Sequence, residues 1–241
     1  IFFDPQTHTD RGIGFDVVIN GIYKALEKAK RELNISFKLI MSYLRHLSEE
    51  EAFKTLESSL PFKHWIDGVG LDSSEVGNPP SKFVNVFKAS AKHGYKLVAH
   101  AGEEGPVDYI WEALDLLNVV RIDHGNRCLD DVVLVQRLVE ENIGLTLCPL
   151  SNLELKVIQK IEEHPVAKML SKGILATIHS DDPAYFGGYM NENYYETAKA
   201  LNLNTDQLLQ LAINAFEASW LNSEAKEKYI AEVKDYFNSL N

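Results

Sequence analysis

The sequence predicts an α/β fold with a parallel sheet, closed as a (β/α)₈ barrel that lacks its first strand, and three observations carry that expectation. Short apolar runs alternate with longer stretches of helical period along all 241 residues, the pattern of strands joined by crossover helices. Reactive or unusual side chains stand at the carboxyl end of nearly every apolar run. A barrel gathers all its strand ends at one mouth, whereas an open sheet concentrates function at one switch point. Neither G-x-G-x-x-G nor G-x-x-x-x-G-K-[ST] follows the early runs, so the signatures of nucleotide-binding open sheets are missing.

Residues 1–3 form the first run, which opens in mid-strand without a Met and reads as a cut or lost N-terminus. Phe15, Val18, Ile22, Leu26, Ala29 and Leu33 then recur at helical spacing with charges between them. The second run, 37–43, leads to an acidic helix start in which Ser48 is a plausible N-cap with Glu51 three residues on. Run 65–71 precedes a helix over 81–93, and run 96–100 precedes one over 107–117. Run 119–124 is followed by helix 130–141, and run 144–148 by helix 165–172. Run 174–180 is the last, with amphipathic helices over 192–201, 206–218 and 224–240 closing the chain. These seven strand candidates, each followed by helix, are expected to form one domain over 1–241.

Composition narrows the class of function. With 45% hydrophobic residues and 24 Lys+Arg against 35 Asp+Glu, the chain is ordinary globular material that can bury a core without staples. A formal charge of −11 argues against nucleic acid and anionic lipid as partners, since both select for cationic surfaces. Two cysteines, Cys128 and Cys148, are too few for a disulfide scaffold and fit a reducing, cytoplasmic compartment. No signal peptide is visible, and no apolar run reaches the ~20 residues that span a bilayer.

Three clusters carry chemistry. In His100-Ala101-Gly102-Glu103 a strand-end imidazole can meet a metal with a carboxylate beside it, the glycine allowing a sharp turn; a simple hydrogen-bonding histidine is the other reading. His124 in Asp123-His124-Gly125-Asn126 can shuttle protons near neutral pH, or serve structure alone. Adjacent Asp181 and Asp182, after His179, repel each other unless a cation or a proton-sharing ligand is present. Side chains at successive strand positions point apart, so the two have separate tasks, the alternative being a capping pair before Pro183. His46 ends a strand and lines the mouth at most; His64, His93 and His164 read as surface residues, and His179 as a hydrogen-bond partner behind the site. Cys148 reads as a small buried residue with no basic partner to activate it.

Together H-A-G-E at 100–103, D-H-G at 123–125, P-L-S-N at 149–152 and S-D-D-P at 180–183 resemble the adenosine/adenine deaminase family of the amidohydrolase superfamily, in order and approximate spacing. The opening F-F-D-P-Q-T-H-T, G-L-D-S-S-E-V-G-N-P-P and S-D-D-P-A-Y-F-G-G-Y are similar to its bacterial and fungal adenine deaminase branch. The resemblance implies a barrel of the metal-dependent hydrolase kind, one Zn²⁺ per active site, and hydrolytic deamination of a small-molecule purine, adenine, to hypoxanthine and ammonia. By the resemblance His100 and Asp181 match zinc ligands, Glu103 the proton donor to purine N1, and His124 the histidine that orients the attacking water. Asp182 matches the carboxyl group that hydrogen-bonds purine N7. Glu75 is placed to accept a proton from N9 or N3 of the free base, the alternative being a turn cap beside Gly77-Asn78-Pro79-Pro80.

The family's other two zinc ligands lie in an H-x-H pair on the first strand, which this sequence does not match; His8 belongs to a different motif. The family pattern puts about 100 residues ahead of Ile1, consistent with barrels of roughly 250 residues or more. Two protein ligands fall short of the three that a catalytic zinc typically takes. The chain by itself is therefore expected to bind zinc poorly unless the missing segment is supplied. Deamination of adenosine by the same machinery, or a non-catalytic truncated paralogue, are the alternatives, and the oligomeric state is left open.

Overall fold

A computed structural model describes residues 1–239, so the last residue of the expected helix 224–240 lies outside the described residues. The chain divides into two compact units, the first comprising Ile1–His100 with Trp111–Val120 and the second Ala101–Ile110 with Arg121 onward.

In the first unit four strands lie in parallel, β1 (Phe2–Phe3), β2 (Ile40–Leu44), β3 (Gly68–Asp72) and β4 (Lys96–Ala101). Phe2 pairs with Ile40, Ile40 with Gly68 and Gly68 with Lys96. Every residue of β2 is buried, including Ser42, as expected of a strand covered on both faces. Its apolar run begins at Phe37, yet the strand starts only at Ile40, because the Leu39 amide donates to the Asp67 carboxylate at 3.0 Å.

Helices α1 (Gln6–Thr9), α2 (Phe15–Leu33), α3 (Glu49–Ser59) and α4 (Val84–Lys92) alternate with these strands. Helix α2 buries Phe15, Val18 and Ile19, and Phe83, Val86 and Phe87 are fully covered. The expected cap is present: the Glu51 amide donates to the Ser48 hydroxyl at 3.4 Å. The tight turn Pro80–Phe83 takes up the first residues of the helix expected from 81.

The next helix, α5 (Val107–Asp115), is followed by the remaining three strands, β5 (Arg121–His124), β6 (Gly144–Leu147) and β7 (Ala176–Ile178). These three form the parallel sheet of the second unit, with Ile122 paired to Leu145 and Leu145 to Ala176. Helix α6 (Val132–Glu140) starts at its N-cap Asp131, whose carboxylate accepts from the Val133 amide at 2.8 Å. Two short helices that sequence periodicity did not reveal, α7 (Pro149–Glu154) and α9 (Pro183–Phe186), each begin with proline directly beyond a strand end. A proline at the first helical position is pre-set for the helix and forfeits no bond there. Between them lies α8 (Val166–Ser171).

Helices α10 (Met190–Leu201), α11 (Thr205–Glu217) and α12 (Ser223–Ser239) follow. Asn204 caps α11 reciprocally with Gln207, and Asn214 Nδ2 donates to the Ala176 carbonyl at 2.9 Å, tying α11 to β7. Phe216 stacks on Tyr229 at 5.3 Å, joining α11 to α12. No described helix is long and apolar enough to cross a membrane.

His164 corrects an expectation: it is buried, not a surface residue. Neighbouring Glu162 and Glu163 suggested solvent, but the turn Ile161–Glu163 rotates the imidazole inward, where Nδ1 accepts from the Val166 amide at 3.3 Å. Burial, with the nearby His124 a smaller cause, pushes its pKa down to about 3.

Ser48→Ala leaves the Glu51 amide without its acceptor and is expected to cost about 1 kcal/mol in urea unfolding. His164 stays neutral in the folded protein down to about pH 3, while the unfolded chain takes up the proton near 6.5. Its contribution is therefore complete above about pH 6.5 and is lost as the pH falls toward 3. The stability slope across that window reaches at most about 1.4 kcal/mol per pH unit, and His164→Gln is expected to flatten it in urea titrations run at successive pH values.

Candidate active site

Within the second unit the strand ends deliver a compact polar cluster. His124 closes β5 and is 2% exposed. Its backbone has φ 64°, and Asp181, just beyond β7, has φ 55°. This left-handed region is uncommon outside glycine, although Asn, Asp and His enter it more often than other residues. Four of the other positive-φ positions are asparagines at turns, Asn34, Asn118, Asn142 and Asn202, which tolerate it readily. At His124 and Asp181 it breaks the strand direction.

Glu103 follows β4 and is half-buried. Its Oε1 lies 3.3 Å from His124 Nδ1 and accepts from Asn152 Nδ2 at 3.0 Å. Asn152, fully buried on α7, in turn accepts from Asn126 Nδ2 at 2.7 Å. The chain reaches this position through Gly102, at φ 69°, where a Cβ would stand 2.5 Å from Ile110 Cδ1. Only glycine fits that turn without moving Ile110.

Asp181 Oδ2 accepts from the Ser151 hydroxyl at 2.5 Å. Ligand atoms of His124, Cys148 and Asp181 lie within 4.8 Å of one another. Cys148 is buried, and burial first, then the charges of Asp181, Glu103, Asp123 and Asp182, push its thiol pKa well up. It is therefore a protonated, unreactive thiol. An imidazole and a carboxylate facing one small volume, ringed by further carboxylates, form a donor set that suits a divalent cation such as zinc.

Asp182 is exposed at the N-terminus of α9, and its side chain makes no cap bond to the helix. The capping reading of the aspartate pair therefore has no support. Asp123 is held by Arg121 at 3.1 Å and by the Thr146 hydroxyl at 2.9 Å. His179 engages Thr177 Oγ1 at 2.7 Å, and burial first, then Arg121 and His124, pushes its pKa down to about 3.

The first unit holds the other two candidates. His100 is the penultimate residue of β4, with Phe2 edge-on to its ring at 5.8 Å. Glu75 sits in the loop after β3, buried at 2% exposure. His46 is exposed and its Nδ1 contacts Ser73 Oγ at 2.8 Å.

Three residues of this cluster had no role assigned from sequence: Asn126, Ser151 and Asn152. Their signal was present in the D-H-G-N and P-L-S-N motifs, but short polar residues next to glycine or proline read equally as turn formers. Only their burial and their bonds, Ser151 to Asp181, Asn152 to Glu103 and Asn126 to Asn152, distinguish them.

Comparison with known proteins identifies the family. The family model for adenosine deaminase matches residues 1–236. Adenine deaminase of Acinetobacter baylyi is 56% identical over 233 residues, covering 97% of this chain and 70% of that protein. Adenine deaminase of Wolinella succinogenes is 57% identical with the same coverage of both chains. Among solved structures, adenine deaminase from Arthrobacter aurescens matches with a TM-score of 0.96 at 43% identity, over 99% of this chain and 73% of the other. A zinc-bound amidohydrolase from Burkholderia ambifaria matches with a TM-score of 0.92 at 26% identity, over 99% and 67%. The fold class is thus α/β, of the metal-dependent hydrolase barrel kind, with seven strands among the described residues where a complete barrel has eight. With a family model spanning nearly its whole length and relatives above half identity, the chain belongs to the adenosine deaminase family.

Proposed function

We propose that this chain hydrolyses adenine to hypoxanthine and ammonia with one zinc ion, that residues 1–241 act as one catalytic domain, and that it works in the cytoplasm. The observation that carries the reading is the Glu103–His124–Asp181 arrangement with its asparagine and serine supports. Relatives at 56 and 57% identity that bear the name adenine deaminase favour the free base as substrate. The two free, buried cysteines accord with a reducing compartment.

His100 and Asp181 would hold the zinc, with further ligands of the family's H-x-H type needed to complete the shell. Zinc, when bound, supplies a Lewis acid that brings the pKa of a coordinated water near 7. The protein groups do the rest. Glu103, entering as the protonated carboxyl, gives its proton to purine N1 and so makes C6 attackable. Asn152 donates to Glu103 Oε1 and orients that carboxyl group. His124, packed against Glu103 at 3.3 Å, orients the attacking water and can take up its proton. Ser151 fixes the rotamer of Asp181 through its hydroxyl. Asp182, at the N-terminus of α9, is the group that hydrogen-bonds at N7. Glu75 accepts the N9 or N3 proton that a free base carries; adenosine has ribose at N9 instead.

Two outcomes are expected. In the zinc-loaded enzyme kcat/KM for adenine exceeds that for adenosine, and Glu75→Gln lowers the adenine value roughly tenfold to a hundredfold, the worth of one hydrogen bond to a charged group. A wild-type preference for adenosine would end the free-base reading. Glu103→Gln is expected to lower kcat by about 10²–10⁴ with zinc content unchanged, while Asp181→Asn loses the metal. Elemental analysis alongside steady-state kinetics separates the two roles, and zinc retained in full by Asp181→Asn would remove that residue from the ligand set.

A further inference from the structure

Glu75 is asked to distinguish a base from a nucleoside, a task that needs a carboxylate held to about half an ångström. Yet it lies on a segment with neither strand nor helix between Asp72 and Pro80. That segment includes Ser73 at φ 76°, a left-handed conformation that a serine keeps only where its surroundings hold it.

The loop is closed from within and tied down from outside. Asn78 closes it: its amide nitrogen donates to the Glu75 carbonyl at 3.0 Å, and its Nδ2 donates to the Ser74 carbonyl at 3.0 Å. Asn78 Oδ1 accepts from Lys82 Nζ at 2.9 Å, and the Asn78 carbonyl accepts from Arg45 Nε at 2.8 Å. Arg45, at the end of β2, is fully buried. Its amide donates to the Asp72 carbonyl at 3.0 Å, and its own carbonyl accepts from Lys82 Nζ at 2.9 Å. Its Nη1 donates to the His100 carbonyl at 2.7 Å. One guanidinium therefore bridges the backbone of the Glu75 loop and the backbone of His100.

Burying a guanidinium costs several kcal/mol unless strong acceptors meet it. Backbone carbonyls on two separate segments do so here, in the directions of a rigid planar fork that a lysine cannot reproduce. We infer that Arg45 is a positioning residue: it sets the Glu75 loop against the metal-binding end of β4, with Asn78 and Lys82 as its struts. The inference rests on Glu75 as the base-recognising group and His100 as a zinc ligand, and adds the link between them.

The link has a signature that general destabilisation lacks. Arg45→Lys is expected to raise KM for adenine about tenfold, the equivalent of about 1.4 kcal/mol, and to lower zinc retention at a fixed chelator concentration. Lys82→Met and Asn78→Asp leave the Arg45–His100 bond in place. They are expected to raise KM by a similar factor while zinc retention stays at the wild-type level. In all three, amide exchange over residues 74–78 accelerates relative to β2. Because Lys82 and Asn78 are only partly buried, their variants carry the test if Arg45→Lys does not fold.

Wild-type KM, zinc retention and exchange in Arg45→Lys would overturn the inference. So would a change confined to melting temperature in the three variants. A wild-type enzyme that prefers adenosine sinks the Glu75 reading instead, and exchange over residues 74–78 still reports whether Arg45 orders the loop.

Discussion

Parallel strands buried on both faces impose the constraint on which the rest of this molecule depends. Along β2, β5 and β6 nearly every side chain is enclosed, so polar groups inside the strands are spent on each other, as Thr146 is on Asp123, and those left to meet a ligand stand at the strand ends. The chemistry accordingly sits where ladders stop: His100 near the end of β4, His124 closing β5, and Asp181 three residues past β7. The price of turning so sharply out of a sheet is visible in the backbone. His124 and Asp181 adopt the left-handed conformation, and Gly102 stands where a methyl group would strike Ile110.

Electrostatics makes the second unit's cluster intelligible. Burial first, and then the nearby carboxylates of Asp181, Glu103, Asp123 and Asp182, push the Cys148 thiol pKa up, so negative charge gathers around this thiol. Some of this charge is neutralised internally, as in the Arg121–Asp123 pair. Neutral donors hold the rest in place, Asn152 on Glu103 and Ser151 on Asp181. A neutral donor orients a carboxylate without quenching its charge, so the group remains able to bind a cation or carry a proton.

The first unit solves a different problem by similar means. Its loop after β3 has no regular structure, and order is imposed by one buried arginine, one lysine and one asparagine that bond to one another, the arginine also reaching the His100 carbonyl. Long side chains with several donors suit this task, since each can close a distance that the backbone ladder leaves open.

Seven strands and the long amphipathic helices were legible from the sequence because burial on a repeating face writes a period into it, and cap residues such as Ser48 mark where a helix begins. The histidines and carboxylates proposed for the site stood out in the sequence, since such groups at strand ends are conspicuous against apolar runs, whereas Asn126, Ser151 and Asn152 did not. What the sequence could not reveal depends on contacts between distant segments. Asn152 bonds to Glu103 across 49 positions, Arg45 reaches His100 across 55, and His164 turns inward despite its acidic neighbours. Local pattern determines which face of an element is apolar; only the folded chain decides which distant acceptor a buried polar group meets, because that choice carries no period and leaves no mark on neighbouring residues.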